Sequence, residues 1–197
     1  MKGEHLMEQG RGKLILVTGG ARSGKSTFAE NYALKSGKRV FYIATAAVDD
    51  EEMEERVRLH RENRPSGFTT FEERFHPHLV MEEEQGEDTL FLLDCLTILL
   101  SNHLLKEAGG SMQEELDRSV LEKSAGEALQ YVSTLSKIMQ KSPSDVLVVT
   151  NEVGMGIVPE HLLGRLYRDM AGRANQAFAA AADEVWLLVC GLPQRLK

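Results

Sequence analysis

The run Gly19-Gly20-Ala21-Arg22-Ser23-Gly24-Lys25-Ser26 carries more chemistry than any other stretch of this chain, because it fits the spacing G-x-x-x-x-G-K-[ST]. Its glycines let the backbone turn tightly enough for successive N–H groups to surround phosphate oxygens, and a helix that follows presents its positive end to them. In that geometry Lys25 reaches the β and γ phosphates and the Ser26 hydroxyl faces magnesium. The flanks agree: Leu14-Ile15-Leu16-Val17 reads as a strand, and Thr27-Phe28-Ala29-Glu30 opens a helix. The expected ligand is therefore a nucleoside triphosphate.

A loop of this kind needs a sheet to hold it, and the rest of the chain alternates short β-branched runs with longer helical ones, the pattern of a parallel sheet with crossover helices. Leu14–Thr18 is the first expected strand, followed by Lys38–Thr45, entered through the turn Ser36-Gly37. Thr89–Asp94, Asp145–Thr150 and Glu184–Val189 complete the expected set. Leu121, Ala125, Ala128, Val132, Leu135 and Met139 recur at helical spacing and form the core stripe of a long helix. Pro143 marks the turn into the next strand, and Pro159 is expected in the first turn of a helix running from Glu160 towards Ala181.

Ligands of open parallel sheets sit beyond the carboxyl ends of the strands. The second strand runs into Thr45-Ala46-Ala47, small residues beside which a nucleotide can lie. The third delivers Asp94, a carboxylate suited to orienting magnesium or its waters opposite Ser26. The loop Asn151–Glu160 combines a strand-end carboxylate with two glycines and exposed-looking apolar residues, which fits either a substrate-facing loop or a turn into the next helix. Arg165, Arg168 and Arg173 punctuate that helix beside Asp169, where surface ion pairing is the default expectation.

The segment from Asp49 to Pro65 begins acidic and ends basic, matching the dipole of a surface helix closed by Pro65. His60 shares a face with Met53 and Val57, and Arg56 and Arg64 stand one helical turn to either side. The residues alone leave two readings open. His60 is a packed or solvated histidine, or it is a nucleophile for a phosphoryl or nucleotidyl group held by the flanking guanidiniums.

The composition bounds what this site serves. A chain of 197 residues suits one α/β domain, here expected over 14–197 with 1–13 as a flexible, frayed extension. A formal net charge of -7 argues against broad nucleic-acid binding. The longest apolar run, Leu90–Leu100, is interrupted by Asp94, Cys95 and Thr97, so no integral membrane segment is expected. The polar start lacks the apolar core of a secretory signal. Cys95 and Cys190 read as buried free thiols in a reducing cytoplasm.

The phosphate loop, Tyr42-Ile43-Ala44-Thr45, Met53–Pro65 with His60, Asn151–Glu160 and Ala182-Asp183-Glu184-Val185-Trp186-Leu187 follow one another as in a known family. Together they resemble the bifunctional adenosylcobinamide kinase and adenosylcobinamide-phosphate guanylyltransferase of bacterial cobalamin synthesis, from about Leu14 to Lys197. The resemblance implies a RecA-like P-loop NTPase fold, mostly parallel with helices on both faces, assembled as a homotrimer. It implies two reactions. ATP or GTP phosphorylates the aminopropanol hydroxyl of adenosylcobinamide, and GTP then donates GMP to adenosylcobinamide phosphate, giving adenosylcobinamide-GDP. In the family GMP passes through a histidine, and the matching residue is His60; Leu59 stands where some relatives carry a second histidine. By the same carry-over the nucleotide contacts are Gly19–Ser26, Thr45, Ala46, Ala47, Arg61, Glu62, Asn63, Arg64, Glu72 and Asp94, with Asp94 a shorter carboxylate where relatives often have Glu.

Two rivals from other classes use the same loop. A simple small-molecule kinase leaves the basic segment around His60 without a task. A nucleotide-gated regulatory switch lacks here the Asn-Lys-x-Asp string with which switch GTPases read guanine.

Overall fold

The computed structural model describes residues 10–46, 58, 65–106 and 117–197. In chain order its elements are β1 (Leu14–Gly19), α1 (Lys25–Lys35), β2 (Arg39–Ala44), β3 (Thr69–Glu72), α2 (Pro77–Glu84), β4 (Thr89–Asp94), α3 (Leu96–Lys106), α4 (Arg118–Gln140), β5 (Asp145–Val149), α5 (Leu162–Ala181), β6 (Glu184–Val189) and β7 (Leu192–Arg195).

The strands form one sheet in the order β3-β2-β4-β5-β1-β6-β7. Every pairing is parallel except β6 with β7. The carboxyl ends of β1 to β6 therefore share one edge. β5 lies between β4 and β1, so the phosphate-loop strand and the Asp94 strand are not neighbours, which fits the RecA-like fold that the family resemblance implies.

Side-chain alternation divides each central strand between two cores. Leu14, Leu16, Phe41, Ile43, Phe91, Leu93, Val146 and Val148 face a cluster completed by α2 to α5, including the expected stripe of α4 from Ala125 to Met139. Ile15, Val17, Val40, Tyr42, Leu90, Leu92, Leu147 and Val149 face the other way, onto Ala29 and Ala33 of α1. Helices thus cover both faces, which is why these strands read as unbroken apolar runs.

β4 ends at Asp94 as expected, and α3 begins at Leu96; both elements are buried, which is why the run Leu90–Leu100 stays apolar across the junction. Several expectations need correction. Pro159 lies outside α5, whose N-cap is His161. Cys190 is exposed, not buried. It and Gly191 take φ of 53° and 80° as the two central residues of the β6–β7 hairpin, where Val189 pairs with Leu192. Two consecutive positive φ values match the right-handed twist of the strands, and such a turn points its side chains to solvent. Arg11–Lys13, assigned by sequence to the frayed extension, are held in place. Arg11 makes a bidentate pair with Asp183 at 2.9 and 2.6 Å, and the Lys13 amide donates to Asp145. The Arg11 guanidinium, helped by the Leu14 amide, pulls the Asp183 carboxyl down to about 2 against the cost of its partial burial. Among the described residues no helix is long and apolar enough to cross a membrane.

Candidate nucleotide site

β1 ends on Gly19 and α1 begins on Lys25, so the glycine-rich run spans the gap between a buried strand and a helix N-terminus. Gly24 occupies the N-cap and offers no side chain to the first turn, leaving its N–H groups directed at the loop. Gly19 has φ 153°, and a Cβ there would stand 2.5 Å from the Leu188 carbonyl oxygen and 2.7 Å from Ser23 Oγ. No larger residue fits without moving backbone. The hairpin that sequence reasoning missed supports the loop from below: the Gly191 amide donates to the Ser23 carbonyl at 2.9 Å. The side-chain oxygens of Thr18 and Ser23 are buried with no hydrogen-bond partner among the described residues.

Lys25 is 7% exposed and donates to the Gly20 carbonyl at 2.6 Å, bridging the mouth of the loop. Burial pushes its ammonium below the ordinary value, and the neighbouring Asp94 carboxylate opposes that shift. A charge held at this depth by one carbonyl gains strongly from phosphate oxygens. Ser26 Oγ donates to Asp94 Oδ2 at 3.3 Å, and Tyr42 Oη donates to the same oxygen at 2.6 Å. The expected Ser26–Asp94 opposition is therefore present, and Tyr42, not singled out from sequence, fixes the carboxylate. No group of three or more His, Cys, Asp and Glu among the described residues is placed to hold a metal. One hydroxyl and one carboxylate nevertheless suit magnesium, which keeps several waters and takes phosphate oxygens as further ligands.

The other expected contacts divide. Thr45 is fully buried, and its hydroxyl is spent on the backbone: it donates to the Cys95 carbonyl at 2.9 Å and accepts the Cys95 amide at 2.8 Å. Its side chain thus joins the ends of β2 and β4 immediately behind Asp94. Asn102 Nδ2 supports the same corner by donating to the carbonyls of Thr45 and Arg74. Ala46 follows at the edge, half-buried. Glu72 closes β3 beside Ala44, four strand positions from β1, about 19 Å along the sheet. It is not brought to the phosphate loop. Ala47, His60, Arg61, Glu62, Asn63 and Arg64 lie outside the described residues. Burial raises the Cys95 thiol to about 11, so it stays protonated and is no nucleophile at neutral pH.

Polar side chains fix the base of the loop after β5. Thr150 Oγ1 donates to Asn175, whose Nδ2 donates to the Asn151 carbonyl, and Asn151 Nδ2 reaches Thr97 Oγ1 of α3. Arg165, expected in a surface ion pair, instead donates to the carbonyls of Pro159 and Glu160 and so anchors the far end of the loop. Arg168 does pair with Asp169, at 3.6 Å.

A phosphate loop on one strand of a mostly parallel sheet, with a carboxylate across from its serine, defines a P-loop nucleotide-handling protein. The family follows from the whole chain: the family model described as cobinamide kinase / cobinamide phosphate guanyltransferase matches residues 15–196, and this chain belongs to that family. It is similar to the bifunctional adenosylcobalamin biosynthesis protein CobU of Salmonella typhimurium, at 42% identity over 93% of this chain and 99% of the relative. The protein of the same name from Escherichia coli K12 shows 42% identity with the same coverage. The bifunctional adenosylcobalamin biosynthesis protein CobP of Pseudomonas aeruginosa is 38% identical over 92% of this chain and 96% of its own length. Among solved structures, the RadB recombinase aligns at TM-score 0.43 and 18% identity, covering 90% of this chain and 74% of that one.

Proposed function

We propose that this chain carries out both reactions of its family at one nucleotide site, phosphorylating adenosylcobinamide and then transferring GMP from GTP to adenosylcobinamide phosphate through His60. The observation that carries the reading is Lys25 within the phosphate loop and Ser26 facing Asp94 at 3.3 Å, in a chain matched by the family from residue 15 to 196.

In the kinase step the loop amides and Lys25 hold the triphosphate of ATP or GTP, and catalysis is alignment and charge stabilisation. In the second step the same cradle shifts its task from the γ-phosphate to the leaving pyrophosphate. His60 attacks the α-phosphorus, the bond to the β-phosphate oxygen breaks, and a phosphoramidate forms; the phosphate of adenosylcobinamide phosphate then displaces the imidazole. Splitting the transfer in two replaces one difficult displacement by two easier ones. Magnesium held by Ser26 and Asp94 would neutralise phosphate charge in both steps. The family resemblance supports a homotrimer, and the free thiols of Cys95 and Cys190 suit a reducing cytoplasm.

Two variants test the division of labour. Lys25→Ala is expected to cut both reactions by about two orders of magnitude or more. His60→Ala is expected to abolish guanylyl transfer and keep phosphorylation. Equal loss of both activities in a folded His60→Ala protein would refute the covalent role.

A further inference from the structure

β5 brings a second carboxylate to the catalytic edge. Its last residue, Val149, is flanked in register by Asp94 of β4 and Val17 of β1, so the chain leaving β5 passes between the Asp94 carboxylate and the phosphate loop. The pairing continues beyond the strand. The Thr150 amide donates to the Val17 carbonyl and the Glu152 amide donates to the Gly19 carbonyl, both at 2.9 Å. Glu152 is thereby fixed by its backbone to the first glycine of the phosphate loop, while Thr150 and Asn151 are tied to Asn175 and Thr97 on the other side.

The two carboxylates are differently engaged. Asp94 takes Tyr42 and Ser26 on one oxygen and is the partner suited to magnesium. Glu152 is half-buried, and among the described residues its Oε1 accepts the Gly154 amide of its own loop, at 2.6 Å, and no other donor. Among the described residues no cation pairs with it. Beyond it the loop turns outward and exposes Met155, Ile157 and Val158, the side from which an acceptor with a large apolar body can approach. With its backbone fixed beside the phosphate cradle and its carboxylate held by one amide of the exposed loop, Glu152 stands one side-chain rotation from an acceptor hydroxyl entering over that loop.

We propose that Glu152 is the general base of the kinase reaction. As the aminopropanol hydroxyl oxygen bonds to the γ-phosphorus and the bond from that phosphorus to the β,γ-bridging oxygen breaks, the hydroxyl proton passes to the Glu152 carboxylate and the nucleoside diphosphate leaves. The proton is then released to solvent. This rests on the kinase reading above. Guanylyl transfer makes a different demand, since its acceptor is a phosphate already ionised at neutral pH with no proton to remove. Glu152 therefore serves one of the two reactions.

The test measures both reactions on the full-length chain and its Glu152→Gln, Glu152→Asp and Glu152→Ala variants. Phosphorylation is followed with magnesium, ATP and adenosylcobinamide, and guanylyl transfer with magnesium, GTP and adenosylcobinamide phosphate. Glu152→Gln is expected to lower kcat of phosphorylation about 100-fold and to remove the acid limb of its pH–rate profile, with Glu152→Asp partly restoring both. The KM for nucleotide should move by less than about threefold and guanylyl transfer should fall by no more than about fivefold. A parallel loss in both reactions would mark Glu152 as a structural support of the phosphate loop and overturn the assignment, as would an unchanged phosphorylation rate and pH profile. A wild-type protein that transfers GMP but phosphorylates no cobinamide would sink the kinase reading and this assignment with it, an outcome distinct from the other two.

Discussion

Replacing Thr45 by valine separates two accounts of that residue, a nucleotide contact by family resemblance and a buried brace in the structure. Valine keeps the shape and removes the hydroxyl at a position that is 0% exposed, so the Cys95 amide loses its 2.8 Å partner while the Cys95 carbonyl, bonded to the hydroxyl at 2.9 Å, still accepts the Leu99 amide at 3.1 Å. The abandoned amide costs about 1–3 kcal/mol and the carbonyl's lost second bond about 0.5–1.5 kcal/mol, part of which is recovered by burying a methyl, so the expected total is about 1–3 kcal/mol. At about 2–4 °C per kcal/mol for a chain of this size, Tm should fall by roughly 2–12 °C. Thr45→Ser keeps the hydroxyl and drops one methyl, which costs about 1 kcal/mol. Thermal unfolding followed by circular dichroism without nucleotide reads both effects, and titration with magnesium and GTP reads the site. A Thr45→Val protein as stable as wild type that fails to bind GTP would refute the bracing account and restore the hydroxyl to the nucleotide.

The first glycine of the loop offers a matched pair of variants. Gly19→Ala drives a Cβ to 2.5 Å from a backbone oxygen at φ 153° and should cost about 2–4 kcal/mol, whereas Gly20→Ala meets nothing within 4 Å and should stay within about 0.5 kcal/mol. Equal unfolding midpoints for the two would contradict the geometry. Asp183, held at about 2 chiefly by the Arg11 hydrogen bonds, contributes stability that is complete above the ordinary carboxylate range and is lost as pH falls through the folded value. Wild type should therefore exceed Asp183→Asn in stability at pH 5 to 7, and the two should converge as pH is lowered from about 4 to about 2, read as Tm against pH. A gap that persists unchanged to pH 2 would mean the ion pair is not its source.

What the sequence made legible follows from burial. β1, β2, β4, β5 and β6 sit inside the sheet, and their apolar runs announce them; α4 shows a clean stripe because only one face meets the core. β3 and β7 passed unread because they are the edges, four residues each and largely exposed, so no apolar alternation marks them. β7 also contains Pro193, a residue that a central strand excludes and an edge position permits. The turn Cys190-Gly191 was the available signal for the hairpin, obscured because cysteine is an unusual residue at a positive φ. In the site, Lys25 and Ser26 stood out by the spacing of the phosphate loop and Asp94 by its place at the end of an apolar strand. Tyr42 was read only as part of a family string and Asn102 not at all, since a strand tyrosine and a helical asparagine show their task only by the atoms they touch. Thr45 was read for its place at a strand end, and only the fold shows its hydroxyl turned inward to Cys95.

The most direct test of the account is incubation of the purified protein with magnesium and GTP labelled at the α-phosphate, wild type beside His60→Ala. The account predicts label bound to wild type, released by acid and stable to alkali as expected of a phosphoramidate, and none on the variant. Label of the same stability on His60→Ala, or no label on a wild-type protein that binds GTP, would contradict transfer through His60.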